Sequence, residues 1–188
     1  MTEYTIAAIP TVYRGRTYRS RLEARWAAFF DRLRWTYEYE PFDLGSWSPD
    51  FLLPDLDTLV EVKPWTSLDK PTADKVADAA GDKQILLTMA APVLVKNAVS
   101  LGWFLPQPVG DQWYHATMFW LPKFDQPQFK ADLVYPADFP VNGRNIWLSA
   151  SGTGGYTDEP SGRLHGYGSH TMKLWADACN AVQWEPGQ

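Results

Sequence analysis

Residues 49–63 constrain the fold more than any other part of the sequence. Pro49 to Leu53 is a short apolar run, and Thr58 to Lys63 is a second run in which apolar and polar residues alternate. The intervening residues 54–57, Pro-Asp-Leu-Asp, have the composition of a turn. Two such runs with a short turn predict an antiparallel β-hairpin, and its apolar content predicts a central place in the core.

A four-residue turn also determines which residues face one another. The expected pairs are Leu53–Thr58, Leu52–Leu59, Phe51–Val60 and Asp50–Glu61. Two carboxylates placed opposite each other repel, because Cβ atoms of such a pair lie only about 5 Å apart. A divalent cation removes the repulsion, since Mg²⁺ is typically held by one or two carboxylates. We therefore expect Asp50 and Glu61 to form a metal site.

Strand alternation places Lys63 on the same face as Glu61, with Val60 and Val62 on the opposite face. A lysine beside a metal-bound carboxylate can orient or deprotonate a water, or offset charge in a transition state. The alternative is a solvated hairpin end with ordinary surface charges. The flanking apolar residues favour the buried, central hairpin over that alternative.

The elements around the hairpin follow from periodicity and capping. Helical spacing of apolar residues predicts a helix over 20–33, and alternation predicts a strand over 35–40. Downstream, residues 70–80 have a helical pattern closed by a glycine, and residues 84–89 form a short apolar run typical of a buried strand. The order helix, strand, hairpin, helix, strand predicts an α/β core with a central mixed β-sheet flanked by helices.

The second half of the sequence is less regular. Strands are expected over 112–121 and 145–149, a glycine-rich loop over 151–169, and a closing helix over 170–184. We divide the chain into a core of residues 1–100 and a C-terminal extension of residues 101–188 that packs on the core.

Charge is spread unevenly along the chain. The net charge of -5 argues against a generic cationic nucleic-acid coat, yet residues 1–40 hold seven arginines against five acids, so the remainder carries -7. Four of these arginines are interleaved with Tyr13 and Tyr18, which suits contact with phosphates and stacking on bases: Arg14, Arg16, Arg19 and Arg21. The alternative is a solvated basic entry to the helix, or pairing with the acids of the chain.

Other features bound the cellular setting. Cys179 is the one cysteine, so no intrachain disulfide is possible and a reducing compartment is expected. The amino terminus has no basic segment followed by an apolar run, and apolar stretches are far below the roughly 20 residues that span a bilayer. We expect a cytoplasmic protein that does not associate with membranes.

The spacing Pro49-Asp50, ten residues, Glu61-Val62-Lys63 resembles the signature of the PD-(D/E)XK nuclease superfamily. The stretch from Tyr18 to Lys63 is similar to small nuclease-like proteins of actinobacteria and their phages. The resemblance covers about the first 90 residues and implies a restriction-endonuclease-like core. It further implies an endonuclease that hydrolyses phosphodiester bonds of DNA with Mg²⁺, for which Mn²⁺ can substitute, and that leaves a 5′ phosphate.

The resemblance also implies a role for each matching residue. Asp50 and Glu61 would ligate the metal, with the backbone carbonyl of Val62 as a third ligand, and Lys63 would serve the attacking water. Glu23 would be an outer or second-metal ligand. A rival role exists for Glu23, because it stands three residues after Ser20 in a capping box and can fold back on the helix start.

Two functional alternatives stay open. The chain could be a catalytically inactive interaction module that keeps the nuclease fold, or a nuclease that acts on RNA or structured DNA. Because a single active site cuts one strand, double-strand cleavage would require a homodimer or two sequential events. Residues 101–188 would then shape substrate choice or form a dimer contact.

Overall fold

The chain forms short strands and helices in the order expected for an α/β protein. A computed structural model describes residues 8–95, 98–105, 113–119, 132–136, 146–149, 157–158 and 168–183. Within these ranges the elements are, in chain order, β1 (Thr11–Tyr13), β2 (Arg16–Tyr18), α1 (Arg21–Leu33), β3 (Glu38–Tyr39), β4 (Phe51–Leu53), β5 (Thr58–Val62), α2 (Lys70–Ala80), β6 (Gln84–Val95), β7 (Ala98–Leu105), β8 (Tyr114–Phe119), β9 (Asp132–Pro136), β10 (Ile146–Ser149), β11 (Thr157–Asp158) and α3 (Gly168–Ala181).

In the part of the chain that the structure describes, one mixed sheet has the spatial order β11-β10-β9-β8-β7-β6-β5-β4-β3, and β1 and β2 form a separate hairpin. Strands β5 and β6 are parallel because α2 carries the chain back between them. The neighbouring pairs β4–β5 and β6–β7 are antiparallel. The predicted element order and the mixed α/β sheet are therefore confirmed.

Helix α1 begins at the predicted capping box. The Ser20 hydroxyl oxygen accepts a hydrogen bond from the Glu23 backbone N–H at 3.1 Å. Most of the apolar face of the helix is fully buried, and the rings of Trp26 and Phe29 lie 4.9 Å and 5.5 Å from the ring of Trp175 on α3. Burial of large aromatic side chains on both helices anchors α3 to α1 and to one face of the sheet.

Three of the four predicted pairs form the β4–β5 ladder: Leu53–Thr58, Leu52–Leu59 and Phe51–Val60. The fourth expected pair, Asp50–Glu61, is not part of the ladder because β4 begins at Phe51. A 3-10 turn over Pro54–Leu56, followed by Asp57 in the left-handed conformation (φ 45°), forms the expected four-residue connection. The hairpin is central, as its apolar content predicts, because the side chains of Phe51 and Val60 are fully buried.

Two strand boundaries differ from the prediction. Strand β4 begins at Phe51 rather than Pro49, because a proline has no backbone N–H for the ladder. Strand β3 covers two residues rather than 35–40. Its expected first residue, Trp35, instead donates its backbone N–H to the Phe30 carbonyl at 3.0 Å and packs on the Phe30 ring, so it belongs to the end of α1.

Helix α2 covers the opposite face of the sheet from α1. It spans the predicted residues and ends at Gly81, whose φ is 64°. Leu59 on β5 and Val76 on α2 share one core cluster, whereas Val60 and Val62 belong to the cluster under α1. Strand alternation therefore directs Glu61 and Lys63 toward the layer on the α2 side.

The second half continues the same sheet. Strand β7 crosses residue 100, and β8 and β10 lie within the strands expected over 112–121 and 145–149. Two residues of the predicted glycine-rich loop, Thr157 and Asp158, instead form β11, and its last two residues, Gly168 and Ser169, belong to α3. The other residues of 151–169 lie outside the described residues. The closing helix starts two residues earlier than expected. No helix among the described residues is long and apolar enough to cross a membrane.

Candidate metal and catalytic site

Asp50 and Glu61 meet at the open end of the β4–β5 hairpin. The last ladder pair on this side is Phe51–Val60, Glu61 is the next residue of β5, and Asp50 directly precedes β4. Both are buried, with exposed fractions of 4% for Asp50 and 7% for Glu61. Because removing a charge from water is costly, each carboxylate at this depth requires a donor or a cation.

Each carboxylate oxygen has one protein partner. Asp50 Oδ2 accepts the backbone N–H of Val62 at 2.7 Å, and Asp50 Oδ1 accepts an N–H of the Arg19 guanidinium at 2.5 Å. Glu61 Oε1 pairs with Lys63 Nζ at 2.7 Å, and Glu61 Oε2 accepts the indole N–H of Trp47 at 2.8 Å. The hairpin therefore brings together Asp50, Glu61 and Lys63 as the sequence predicts, and it brings the Val62 backbone to Asp50.

The pKa of Asp50 is raised to about 7. Burial is the main cause, followed by the nearby charge of Glu61. The Val62 N–H and the Arg19 guanidinium oppose this rise because both stabilise the ionised carboxylate. Near neutral pH the pair therefore holds a proton part of the time, and a cation between the two acids would favour full ionisation.

Glu23 is engaged by its own surroundings. Its Oε1 accepts the Ser20 hydroxyl at 2.7 Å, and its Oε2 accepts the Tyr39 hydroxyl at 2.6 Å and the Arg19 backbone N–H at 3.2 Å. These are the contacts expected for the alternative role, in which Glu23 folds back on the helix start. Its charge still acts on Asp50, whose pKa it helps to raise.

Arg19 contacts acidic groups from three segments of the chain. Besides Asp50, its guanidinium pairs with Glu40 Oε1 through Nε at 2.9 Å, and its Nε lies 3.9 Å from Glu23 Oε2. From the sequence, Arg19 was one of four arginines expected to contact phosphates. In the structure it lies beside the two central acids. Its position two residues before α1 did not reveal this, because Asp50 is 31 residues away in sequence.

The other three arginines lie apart from the two acids. Arg14 is in the β1–β2 turn and pairs with Asp31 Oδ2 at 3.2 Å, while Arg16 is exposed on β2. Arg21 starts α1, and its Nε is buried with no hydrogen-bond partner among the described residues. Of these four arginines, Arg19 is the one that contacts Asp50 among the described residues.

Sequence reasoning missed two residues that orient the acids. Trp47 donates to Glu61, but its position in a Gly-Ser loop carried no signal for this contact. Tyr39 donates to Glu23 and lies at an inward position of an alternating aromatic and acidic stretch, a pattern that could have identified it. Both contacts join segments that are far apart in sequence, so only the folded chain brings them together.

The oxygen ligands at the hairpin end are of the kind that a hard cation prefers, but there are too few of them to hold it alone. Asp50 and Glu61 offer carboxylate oxygens, which are the ligands that Mg²⁺ prefers, and their mutual charge is only partly balanced. Within the described ranges, no three His, Cys, Asp or Glu side chains are grouped so that they could hold a metal ion. A metal here would need two carboxylates completed by water, backbone carbonyl or substrate oxygens.

Comparisons with known proteins identified no relative of this chain. No protein-family model, curated protein or solved structure matches the chain. The structure itself defines an α/β protein with a mixed sheet and a buried acidic pair at the end of a central hairpin.

Proposed function

We propose that this protein is a Mg²⁺-dependent nuclease with a restriction-endonuclease-like core that hydrolyses phosphodiester bonds in DNA as an endonuclease. One observation carries the proposal: two buried carboxylates, Asp50 and Glu61, lie together with Lys63 at the end of a central hairpin. A buried pair of like charges is costly to stability and therefore needs a reason to be there. A metal-dependent active site supplies such a reason.

Asp50 and Glu61 would hold the metal ion, and the Val62 carbonyl is the expected backbone ligand. When bound, Mg²⁺ would polarise the scissile phosphate and lower the pKa of a water molecule. The Val62 N–H keeps Asp50 Oδ2 oriented, and the Trp47 indole does the same for Glu61 Oε2. Both carboxylates are therefore held in place before any ligand arrives, which limits reorganisation during the reaction.

Lys63 is the residue best placed to act on water or phosphate. Its ammonium pairs with Glu61 Oε1, and its side chain keeps about a third of its surface exposed (30%). Its backbone N–H donates to the Thr88 carbonyl on β6 at 3.3 Å, so the residue is anchored on a core strand. The ammonium can orient the attacking water and offset negative charge that develops on the phosphate.

A second candidate is an inactive interaction module that retains this fold. Arg19 favours it, because its guanidinium already supplies a positive charge to Asp50. Glu23 also favours it, since both its oxygens serve the helix cap and Tyr39. In this alternative, the acidic pair is a structural ion network and binds no metal.

Cleavage of plasmid and single-stranded DNA with Mg²⁺, with Mn²⁺ and with EDTA tests the proposal. Asp50→Asn and Lys63→Met are compared with wild type, and Lys70→Met is the matched control because Lys70 forms an exposed ion pair with Asp74. We expect metal-dependent cutting by wild type and by the control, and a loss of at least about 100-fold in both site variants.

Metal binding separates the two candidates without reference to activity. Titration of Mn²⁺ into wild type and Asp50→Asn, followed by its electron paramagnetic resonance signal, reports occupancy of the site. Binding lost in the variant supports the nuclease. A folded wild-type protein that binds no Mn²⁺ and cuts neither DNA nor RNA would be the inactive module.

A further inference from the structure

A polar cavity of about 380 Å³ lies under the β1–β2 hairpin, and neither Asp50 nor Glu61 lines it. It opens between the β1–β2 hairpin, the C-terminal half of α1 and the segment that leads to β3. Its lining combines two arginines, three tyrosines and one carboxylate, together with Trp35 and Thr36. The arginines are Arg14 and Arg16, the tyrosines are Tyr13, Tyr18 and Tyr37, and the carboxylate is Asp31.

The β1–β2 turn positions the cationic rim of the cavity. Arg14 and Gly15 both have positive φ, 50° and 76°, and this two-residue turn joins the paired residues Tyr13 and Arg16. The turn directs Arg14 back over α1, where its Nη1 pairs with Asp31 Oδ2 at 3.2 Å. Arg16, on the adjacent strand, lies at the same rim and is exposed.

Asp31 lines the cavity, and its side-chain contacts to described residues use one of its two oxygens. The Tyr13 hydroxyl donates to Oδ2 at 2.9 Å, and the Arg14 ion pair is formed with that same oxygen. Both contacts to described residues therefore leave Oδ1 as an acceptor. The hydroxyls of Tyr18 and Tyr37, 3.2 Å apart, add groups that can donate or accept.

The cavity is connected to the acidic pair through β2. Tyr18 lines the cavity, and the next residue, Arg19, contacts Asp50. The Tyr18 ring also packs on the Tyr39 ring at a centroid distance of 4.6 Å, and Tyr39 donates to Glu23. Adjacent residues of one segment therefore line the cavity and contact the acidic pair.

We propose that this cavity binds one unpaired nucleotide of a nucleic-acid strand, an inference that rests on the proposed nuclease function. Asp31 Oδ1 accepts an N–H from the edge of the base, since every nucleobase carries such a donor. Arg14 and Arg16 at the rim contact the flanking phosphates. A base can enter a cavity only when it is out of the helical stack, so the substrate class is single-stranded nucleic acid or a duplex with an unpaired nucleotide.

The test is fluorescence anisotropy with a labelled single-stranded oligonucleotide and the matched duplex, in EDTA. Two changes target the cavity: the double variant Arg14→Gln, Arg16→Gln removes the rim charges, and Thr36→Trp fills the space from an exposed position. The controls are Arg34→Gln and Thr17→Trp, which change exposed residues that do not line the cavity. Circular dichroism melting verifies that each variant is folded.

We expect wild type to bind the single strand at least about tenfold more tightly than the duplex. Thr36→Trp should weaken single-strand binding about tenfold or more, as expected for the loss of one bound base. The double variant should lower the slope of log affinity against log salt by about 0.7 for each phosphate contact removed. The controls should bind like wild type.

Equal affinity for both oligonucleotides, or single-strand binding that neither cavity variant changes, would overturn the inference. Because EDTA prevents metal-dependent cutting, these results do not depend on cleavage. Cavity-dependent binding without any cleavage in Mg²⁺ or Mn²⁺ would remove the nuclease proposal and retain the nucleotide site. If Asp50→Asn abolishes cleavage while the cavity variants leave binding unchanged, the nuclease proposal stands and the nucleotide site is rejected.

Discussion

The Arg19 guanidinium donates to Oδ1 of Asp50, the buried acid that also accepts the Val62 backbone N–H on its other oxygen. Arg19 thus supplies positive charge at the point where Asp50 and Glu61 repel each other. Because the arginine is more than half exposed (55%) whereas Asp50 is buried, its side chain can move away when another cation arrives. The contact links the β1–β2 hairpin to the candidate site.

Replacing Arg19 with methionine should raise the pKa of Asp50. The wild-type value of about 7 already includes the opposing effect of the guanidinium, so without it the pKa should rise further. Carbon-13 NMR of the Asp50 carboxyl group over a pH series measures this directly. Arg16→Met, which removes an exposed charge away from Asp50, serves as the control. An unchanged or lower pKa in Arg19→Met would refute the pairing.

Stability should depend on pH through Asp50. Its folded pKa of about 7 exceeds the ordinary value of 3.8, so the folded state binds the extra proton between these values. The free energy of unfolding should therefore fall as pH rises from about 4 to about 7, and this contribution should stay lost above pH 7. The full change is on the order of 4 kcal/mol for a shift of this size.

Asp50→Asn isolates this effect, because an amide does not titrate in the range. Urea denaturation at pH 4, 5.5, 7 and 8 measures the difference in unfolding free energy between variant and wild type. That difference should move in favour of the variant as pH rises. A constant difference across the series would mean that Asp50 does not carry a raised pKa.

Glu23→Gln and Glu61→Gln should have different effects. Glu23 forms three hydrogen bonds at the start of α1, so its amide variant should lose about 1–3 kcal/mol of stability and keep its Mn²⁺ affinity within about threefold. Glu61→Gln should weaken Mn²⁺ binding at least about tenfold. Calorimetric titration and urea denaturation give the two readouts. Comparable losses of Mn²⁺ affinity in both variants would make Glu23 a metal ligand.

Gly102→Ala should destabilise the sheet next to the site. Gly102 has φ of 150°, and a Cβ there would lie 1.9 Å from the Leu87 carbonyl oxygen. Leu87 pairs with Glu61 across β5 and β6, so the clash would displace the strand that supports the acid. We expect a loss of at least about 2 kcal/mol. Gly45→Ala is the control, because Gly45 has positive φ and open space and should lose only about 1 kcal/mol.

Local sequence patterns were sufficient for much of the fold. Alternation and turn composition predicted the β4–β5 register, and helical spacing with the Ser20 cap predicted α1. Such features depend on contacts between residues near in sequence, where the geometry of a strand or helix determines which side chains are neighbours. Boundaries were less accurate where a residue had a competing partner, as Trp35 has in the Phe30 carbonyl.

The sequence alone therefore determined the hairpin, its register, and the placing of Glu61 and Lys63 on one face opposite Val60. Tertiary structure decided what surrounds them: Arg19 on Asp50, Trp47 on Glu61, and the cavity under the β1–β2 turn. The physical reason is the range of the contacts. The alternation of a strand depends on consecutive residues. The Arg19 guanidinium, by contrast, contacts the Asp50 carboxylate 31 positions away only because packing has brought their segments together.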